Sequence, residues 1–163
     1  MLVVRQEDGL ALRGQTRMSN FGSPGRGHGW ANAASIDRMA VKLNERAYEY
    51  ARDLIVAGSY VIDDRDGWSE HQPSARQEND YIERHGIAEY AKWHLGVDDE
   101  MDENRKGHYK FPYGDFQNVH RCALLAAESR AGQRKYYDIE LAVAHLHGML
   151  EALRRSAVTL KPS

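Results

Sequence analysis

The ten residues Gly107-His108-Tyr109-Lys110-Phe111-Pro112-Tyr113-Gly114-Asp115-Phe116 constrain this chain most, because they carry four aromatic rings in a segment that cannot be a regular helix. Pro112 removes a backbone donor and clashes with the preceding turn, and two glycines weaken what remains. Tyr109, Phe111 and Tyr113 alternate as an extended stretch does, which puts them on one side. Two readings follow. The rings form a lid over the core, or they form a recognition surface with Lys106, Lys110, His120 and Arg121 supplying charge beside them. Basic residues interleaved with aromatics suit stacked single-stranded nucleic acid and protein hot spots alike. Four such residues do not choose between the two.

The flanks of this segment read as helices. Asp115 is an N-cap residue type and predicts a helix over 116–131, whose middle, Cys122 to Ala127, is apolar all round and belongs at the centre of a fold. The last helix is predicted to begin after Asp138. Ile139, Val143, Leu146, Leu150 and Leu153 space a seam of about two heptads, expected to pack on the Cys122 helix, with a homodimer as second choice. From Asn44, the residues Ala47, Tyr50, Ala51, Leu54 and Ile55 build one apolar stripe that Gly58 ends. Tyr60-Val61-Ile62 suits a short strand, and Asp63 to Gly67 has turn composition. Ser74 and Gln77 have capping-box spacing and start a helix that runs to His85. A further helix, Ile87 to Leu95, is expected to stop at Gly96. The sum is a mainly α fold: a compact bundle of four or five helices, a long aromatic loop of 18 residues between Gly96 and Asp115, and little or no strand.

A chain of 163 residues fits one domain that needs no disulfide, and its one cysteine, Cys122, cannot form an internal bridge. The lone thiol points to a reducing compartment. No apolar run approaches the roughly 20 residues that span a bilayer, and no secretion signal opens the chain. A cytoplasmic protein without a membrane partner is the expectation. With 22 Lys+Arg against 24 Asp+Glu there is no global footprint of a nucleic-acid binder. Residues 19–35 have linker composition, and residues 1–38 hold five arginines against three acids. These divide the chain into a Gly/Arg-containing extension over 1–38, a helical domain over 39–156 and a tail over 157–163.

Spacing gives no metal site and no cofactor. Ligands on one helical face stand three or four apart, whereas His120 and Cys122, like His145 and His147, are separated by two and diverge if helical. His71, His85, His94 and His120 form a site only if the fold brings them together. Cys122 with His71 or His120 as base has the makings of a nucleophile pair, but a thiol inside an apolar helix is expected to be inert. Glu78, Glu83 and Glu128 offer acid-base chemistry only if buried near one another. The acidic run Asp98 to Glu103 resembles a calcium loop but has Glu103 where that loop needs glycine, so a solvated turn is expected.

Three strings carry a resemblance: Trp68 to Ser74 with Glu78-Asn79, Tyr109 to Phe116 with Val119-His120-Arg121-Cys122, and Glu128 to Gln133. Together they resemble a family of small uncharacterised bacterial proteins over residues 39–153. The string Lys110 to Asp115 is also similar to one found in phage and prophage head-cassette proteins. The resemblance implies a stand-alone domain that opens near Met39, and it implies no reaction. The expected function is a non-enzymatic helical interaction or assembly module, binding a protein partner or a second copy of itself. Its expected binding residues are Tyr109, Lys110, Phe111, Tyr113, His120, Arg121, His71 and Trp68. The alternative is a small enzyme or metal-binding protein with a His/Glu/Arg site at the start of the 116–131 helix, and nucleic acid is a third option.

Overall fold

The structure, a computed structural model, describes residues 40–161. The extension expected over 1–38 therefore lies outside the described residues. Among those residues the chain runs β1 (Val41–Leu43), α1 (Glu45–Val56), β2 (Tyr60–Val61), α2 (Trp68–His71), α3 (Ala75–His85), α4 (Ile87–Ala91) and β3 (His94–Asp98). A 3₁₀ turn (Lys106–His108) then leads into β4 (Tyr109–Pro112), β5 (Val119–His120), α5 (Arg121–Arg134) and α6 (Tyr137–Leu160). Strands β1, β3 and β4 form an antiparallel sheet with β3 in the middle, while β2 and β5 pair in parallel. The fold is mixed α/β. That corrects the all-helical bundle expected from the sequence.

The helices that carry their own start signals form as their residues dictate. Asn44 caps α1, accepting the Ala47 N–H at 3.3 Å, and its amide donates to the carbonyls of Ala91 and His94 at 3.0 Å each. Ser74 and Gln77 close a complete capping box on α3. Gly58 and Gly86 take positive φ where their helices end. The seam of α6 packs Ile139, Val143, Leu146 and Leu150 inward, largely against α5, but Leu153 is 39 % exposed, so the seam ends a turn early. Helix α6 also continues to Leu160, through the tail expected from 157.

The expected helix Ile87 to Leu95 is half right. It stops at Ala91, and His94 to Asp98 is the central strand. Gly96 is not a stop signal. It pairs with Leu43 and Lys110 in mid-sheet, and a Cβ there would stand 2.9 Å from Cδ2 of Phe111. The glycine is a seat for that ring. Likewise the 97–114 connection is not one long loop, because β3 runs to Asp98 and the second half carries the 3₁₀ turn and β4. Asp115 does not cap a helix either: its Oδ1 accepts the N–H groups of Gln117 and Asn118 at 3.0 and 2.7 Å, making a tight turn before β5.

The aromatic segment divides between core and sheet. Tyr113 is fully buried, donating its hydroxyl to the Lys92 carbonyl at 2.5 Å and stacking on Trp93. Phe111 is 7 % exposed and takes a left-handed φ of 61°, a conformation a bulky residue adopts only when packing compels it. Its ring lies edge-on to Tyr136. Phe111→Ala should therefore lower stability by about 3–5 kcal/mol. Denaturant melts of both proteins test this, and a change within about 0.5 kcal/mol would remove Phe111 from the core.

Candidate metal centre

The parallel pairing of β2 with β5 sets Tyr60 opposite Val119 and Val61 opposite His120. Two residues past β2 the chain reaches Asp63; directly past β5 it enters α5. Helix α5 has no side-chain cap of its own from His120. Asp63 supplies one from across the fold, its Oδ1 accepting the Cys122 N–H at 2.7 Å. A carboxylate at a helix N-terminus meets both an unpaired donor and the positive end of the dipole. Arg121 fastens the same loop, donating Nη1 to the Asp63 carbonyl at 3.3 Å and Nε to Glu151 of α6 at 2.7 Å.

The second carboxylate oxygen is crowded. Asp63 Oδ2 lies 2.7 Å from His120 Nδ1, 2.8 Å from His71 Nδ1 and 3.0 Å from Cys122 Sγ, and that sulfur is 3.5 Å from His71 Nδ1. All four ligand atoms lie within 4.8 Å of one another. One carboxylate oxygen has two lone pairs, so three approaching groups exceed what it can accept well. The far nitrogen of His120, Nε2, stands 3.1 Å from Asp115 Oδ2, at ion-pair distance but off the line of a hydrogen bond. A ring that turns its Nε2–H toward Asp115 presents the Nδ1 lone pair to the other three ligand atoms. Histidine ligands of metals are commonly oriented by such an outer carboxylate.

The local electrostatics oppose a free thiolate. Burial, the hydrogen bond to Asp63 and the nearby carboxylate push the Cys122 thiol up to about 12. Burial also works against the charge of Asp63, but hydrogen bonds from Cys122 and His120 outweigh it and hold the carboxyl below its ordinary range. Cys122 is thus no nucleophile as the cluster stands. A divalent cation among these atoms would reverse that balance, since its charge favours both carboxylate and thiolate.

His71, His120 and Arg121, expected near the start of the central helix, do meet there, and Trp68 lies alongside with its ring 6.2 Å from that of His120. His85 and His94 do not join them. His85 lies against Tyr81, and His94 is buried beside Tyr90. Tyr109, Lys110, Phe111 and Tyr113 belong to β4 and the core, so the surface expected over 107–121 keeps few exposed rings. Glu78, Glu83 and Glu128 do not cluster; Glu78 pairs with Lys106 and Glu128 approaches His147. Sequence reasoning missed Asp63, which has the look of one more turn residue. Its signal was position: the first acid after a short apolar strand, in a chain whose most apolar helix turns out to lack a cap. The spacing argument against His120 and Cys122 fails for a clear reason. His120 ends a strand and Cys122 sits in the first helical turn, so residues two apart point the same way.

No protein-family model, no curated protein and no solved structure matches this chain. No helix among the described residues is long and apolar enough to cross a membrane.

Asp63, Asp115 and Glu151 all have pKa values lowered by the fold, Glu151 from 4.5 to about 2 chiefly by its hydrogen bond from Arg121. Lowered carboxylates contribute stability above their unfolded values and lose it as pH falls toward the folded ones. The melting temperature of metal-free protein should accordingly drop between about pH 4.5 and pH 2. Glu151→Gln should make that decline shallower; calorimetric melts across the range check it, and an unchanged slope would count against the Arg121–Glu151 strut.

Proposed function

We propose that this chain is a metal-binding protein that holds one transition-metal ion between Asp63, His71, His120 and Cys122. The observation that carries the reading is the convergence of three ligand groups on Asp63 Oδ2, a crowding that a cation relieves and a hydrogen-bond network does not. Two imidazoles, a thiolate and a carboxylate make a mixed N₂SO set, which suits tetrahedral zinc. Bonds of about 2.0–2.3 Å give tetrahedral edges of about 3.3–3.7 Å. The closest separations here are about half an ångström shorter, so a modest outward shift of the four side chains makes room.

Four protein ligands are the pattern of a structural ion, which has no position left for substrate. The role that follows is to fasten the β2–α2 loop and α2 to the head of α5. His71 is the member nearest solvent, with a side chain 38 % exposed, so the ion would be reached from its side. This reading agrees with a non-enzymatic domain, and it takes up the metal-binding alternative rather than an aromatic contact surface.

Elemental analysis of protein purified from zinc-replete medium should find one zinc per chain. Cys122→Ala and His71→Ala should each abolish stoichiometric binding, and cobalt(II) titration of the wild type should produce thiolate charge-transfer and tetrahedral d–d bands. Chelation should lower the folded state's stability by about 3–4 kcal/mol relative to protein at 100 to 1,000 times the dissociation constant. Substoichiometric metal with no cobalt spectrum would sink the proposal.

A further inference from the structure

A second site shares no side chain with the cluster, although Gln72, which follows His71, lines it. A cavity of about 470 Å³ opens between β3–β4, the α3–α4 corner and the C-terminal half of α5. That volume suits one ring bearing one charged group. Its polar groups are unusually placed for a surface recess.

On one wall, His94 is only 3 % exposed yet lines the cavity. Its Nδ1 lies 3.0 Å from the Tyr90 carbonyl, which can only accept, so the ring proton sits there and Nε2 keeps its lone pair. Burial pushes the imidazole down to about 4, which keeps that nitrogen an acceptor at neutral pH. Beside it is Glu78, whose carboxylate is held by the Tyr90 hydroxyl at 3.3 Å and Lys106 Nζ at 2.9 Å. This wall therefore offers acceptors.

On the other wall stand Arg130 and Arg134, one turn apart on α5, together with Tyr136. Neither arginine has a carboxylate or hydrogen-bond partner among the described residues. Like charges at this spacing repel. The helix dipole accounts for a cation in the last turn, where Arg134 stands, but not for a pair turned to a cavity that a buried histidine also lines. Two guanidiniums side by side form a fork that matches an oxyanion. Between the walls lie Tyr109, Phe111 and Pro112, with Asp98 and Lys110 beside them as a charge pair at 3.7 Å.

We propose that this cavity binds a small organic oxyanion, a phosphate or carboxylate joined directly or through a sugar to an amino-bearing ring. Arg130 and Arg134 take the anion, and His94 Nε2 with Glu78 takes the amino donor at the far end. The phosphate and carboxylate sources share this chemistry and are separated by experiment.

Calorimetric titrations of the full chain at fixed ionic strength should use adenosine 5′-monophosphate, 4-aminobenzoate and inorganic phosphate. Saturable binding of at least one of the two organic probes is expected, tighter than that of inorganic phosphate; which of them binds identifies the anion. Arg130→Gln/Arg134→Gln should weaken that binding by about ten-fold or more, and Arg154→Gln on α6 should not. The matching probe without its amino group, purine riboside 5′-monophosphate or benzoate, should bind more weakly. Both arginines are exposed, so the double variant should melt like the wild type. The proposal is overturned if neither organic probe binds, if inorganic phosphate binds as tightly, or if the double variant binds as well as the wild type. Chelator-treated protein should bind the same probe, because no ligand of the proposed ion lines the cavity, so loss of the metal reading leaves this one standing.

Discussion

The carboxylate of Asp63 is the constraint on which the rest of this structure depends. Helix α5 is the most buried helix of the fold, with Cys122, Ala123, Leu124, Leu125, Ala127 and Ala131 all inside, yet its first turn has no cap from its own neighbours. Buried helix ends without partners are costly, because an unpaired amide loses its water and gains nothing. Asp63 resolves that cost through Oδ1. The loop that delivers it is in turn held by the β2–β5 ladder and by Arg121, so cap, loop and two-stranded sheet stand or fall together.

The same residue makes the cluster chemically unusual. With Oδ1 committed to the helix, Oδ2 is fixed in place and cannot swing away from the three groups that crowd it. Rigid placement of ligand atoms by structural bonds is what distinguishes a prepared ion site from a chance gathering of histidines. Asp115 extends that logic outward: its Oδ1 is spent on the turn at Gln117 and Asn118, leaving Oδ2 to face His120.

What the sequence disclosed, it disclosed through local signals. The Ser74–Gln77 box, Asn44 at the head of α1 and the four buried seam residues of α6 are statements about neighbours within a turn or two, and each is found where its chemistry puts it. Tyr60-Val61 is likewise a strand, as its residues suit, but the central strand of the larger sheet was obscured for a different reason. His94 to Asp98 is too short to show clear alternation, and its glycine serves a packing purpose that mimics a stop signal. Three of the four site residues were visible as residue types, since His71, His120 and Cys122 invite the question of chemistry by themselves. Asp63 was invisible because its role is set by a parallel pairing, and nothing near it in the chain announces a partner so far away.

That distance has a consequence for how the protein comes into being. Asp63 and His120 are 57 residues apart. At typical translation speeds, Asp63 and His71 leave the ribosome roughly 3 to 12 seconds before the strand and helix that complete them. During that interval α3, α4 and the β1–β3 pairing acquire every residue they need, whereas the β2–α2 segment still has neither its strand partner nor its helix. The cluster thus closes later than the helices and the strand pairing that lie between its halves in the chain, and a nascent chain carries an aspartate and a histidine that wait in solvent for their counterparts.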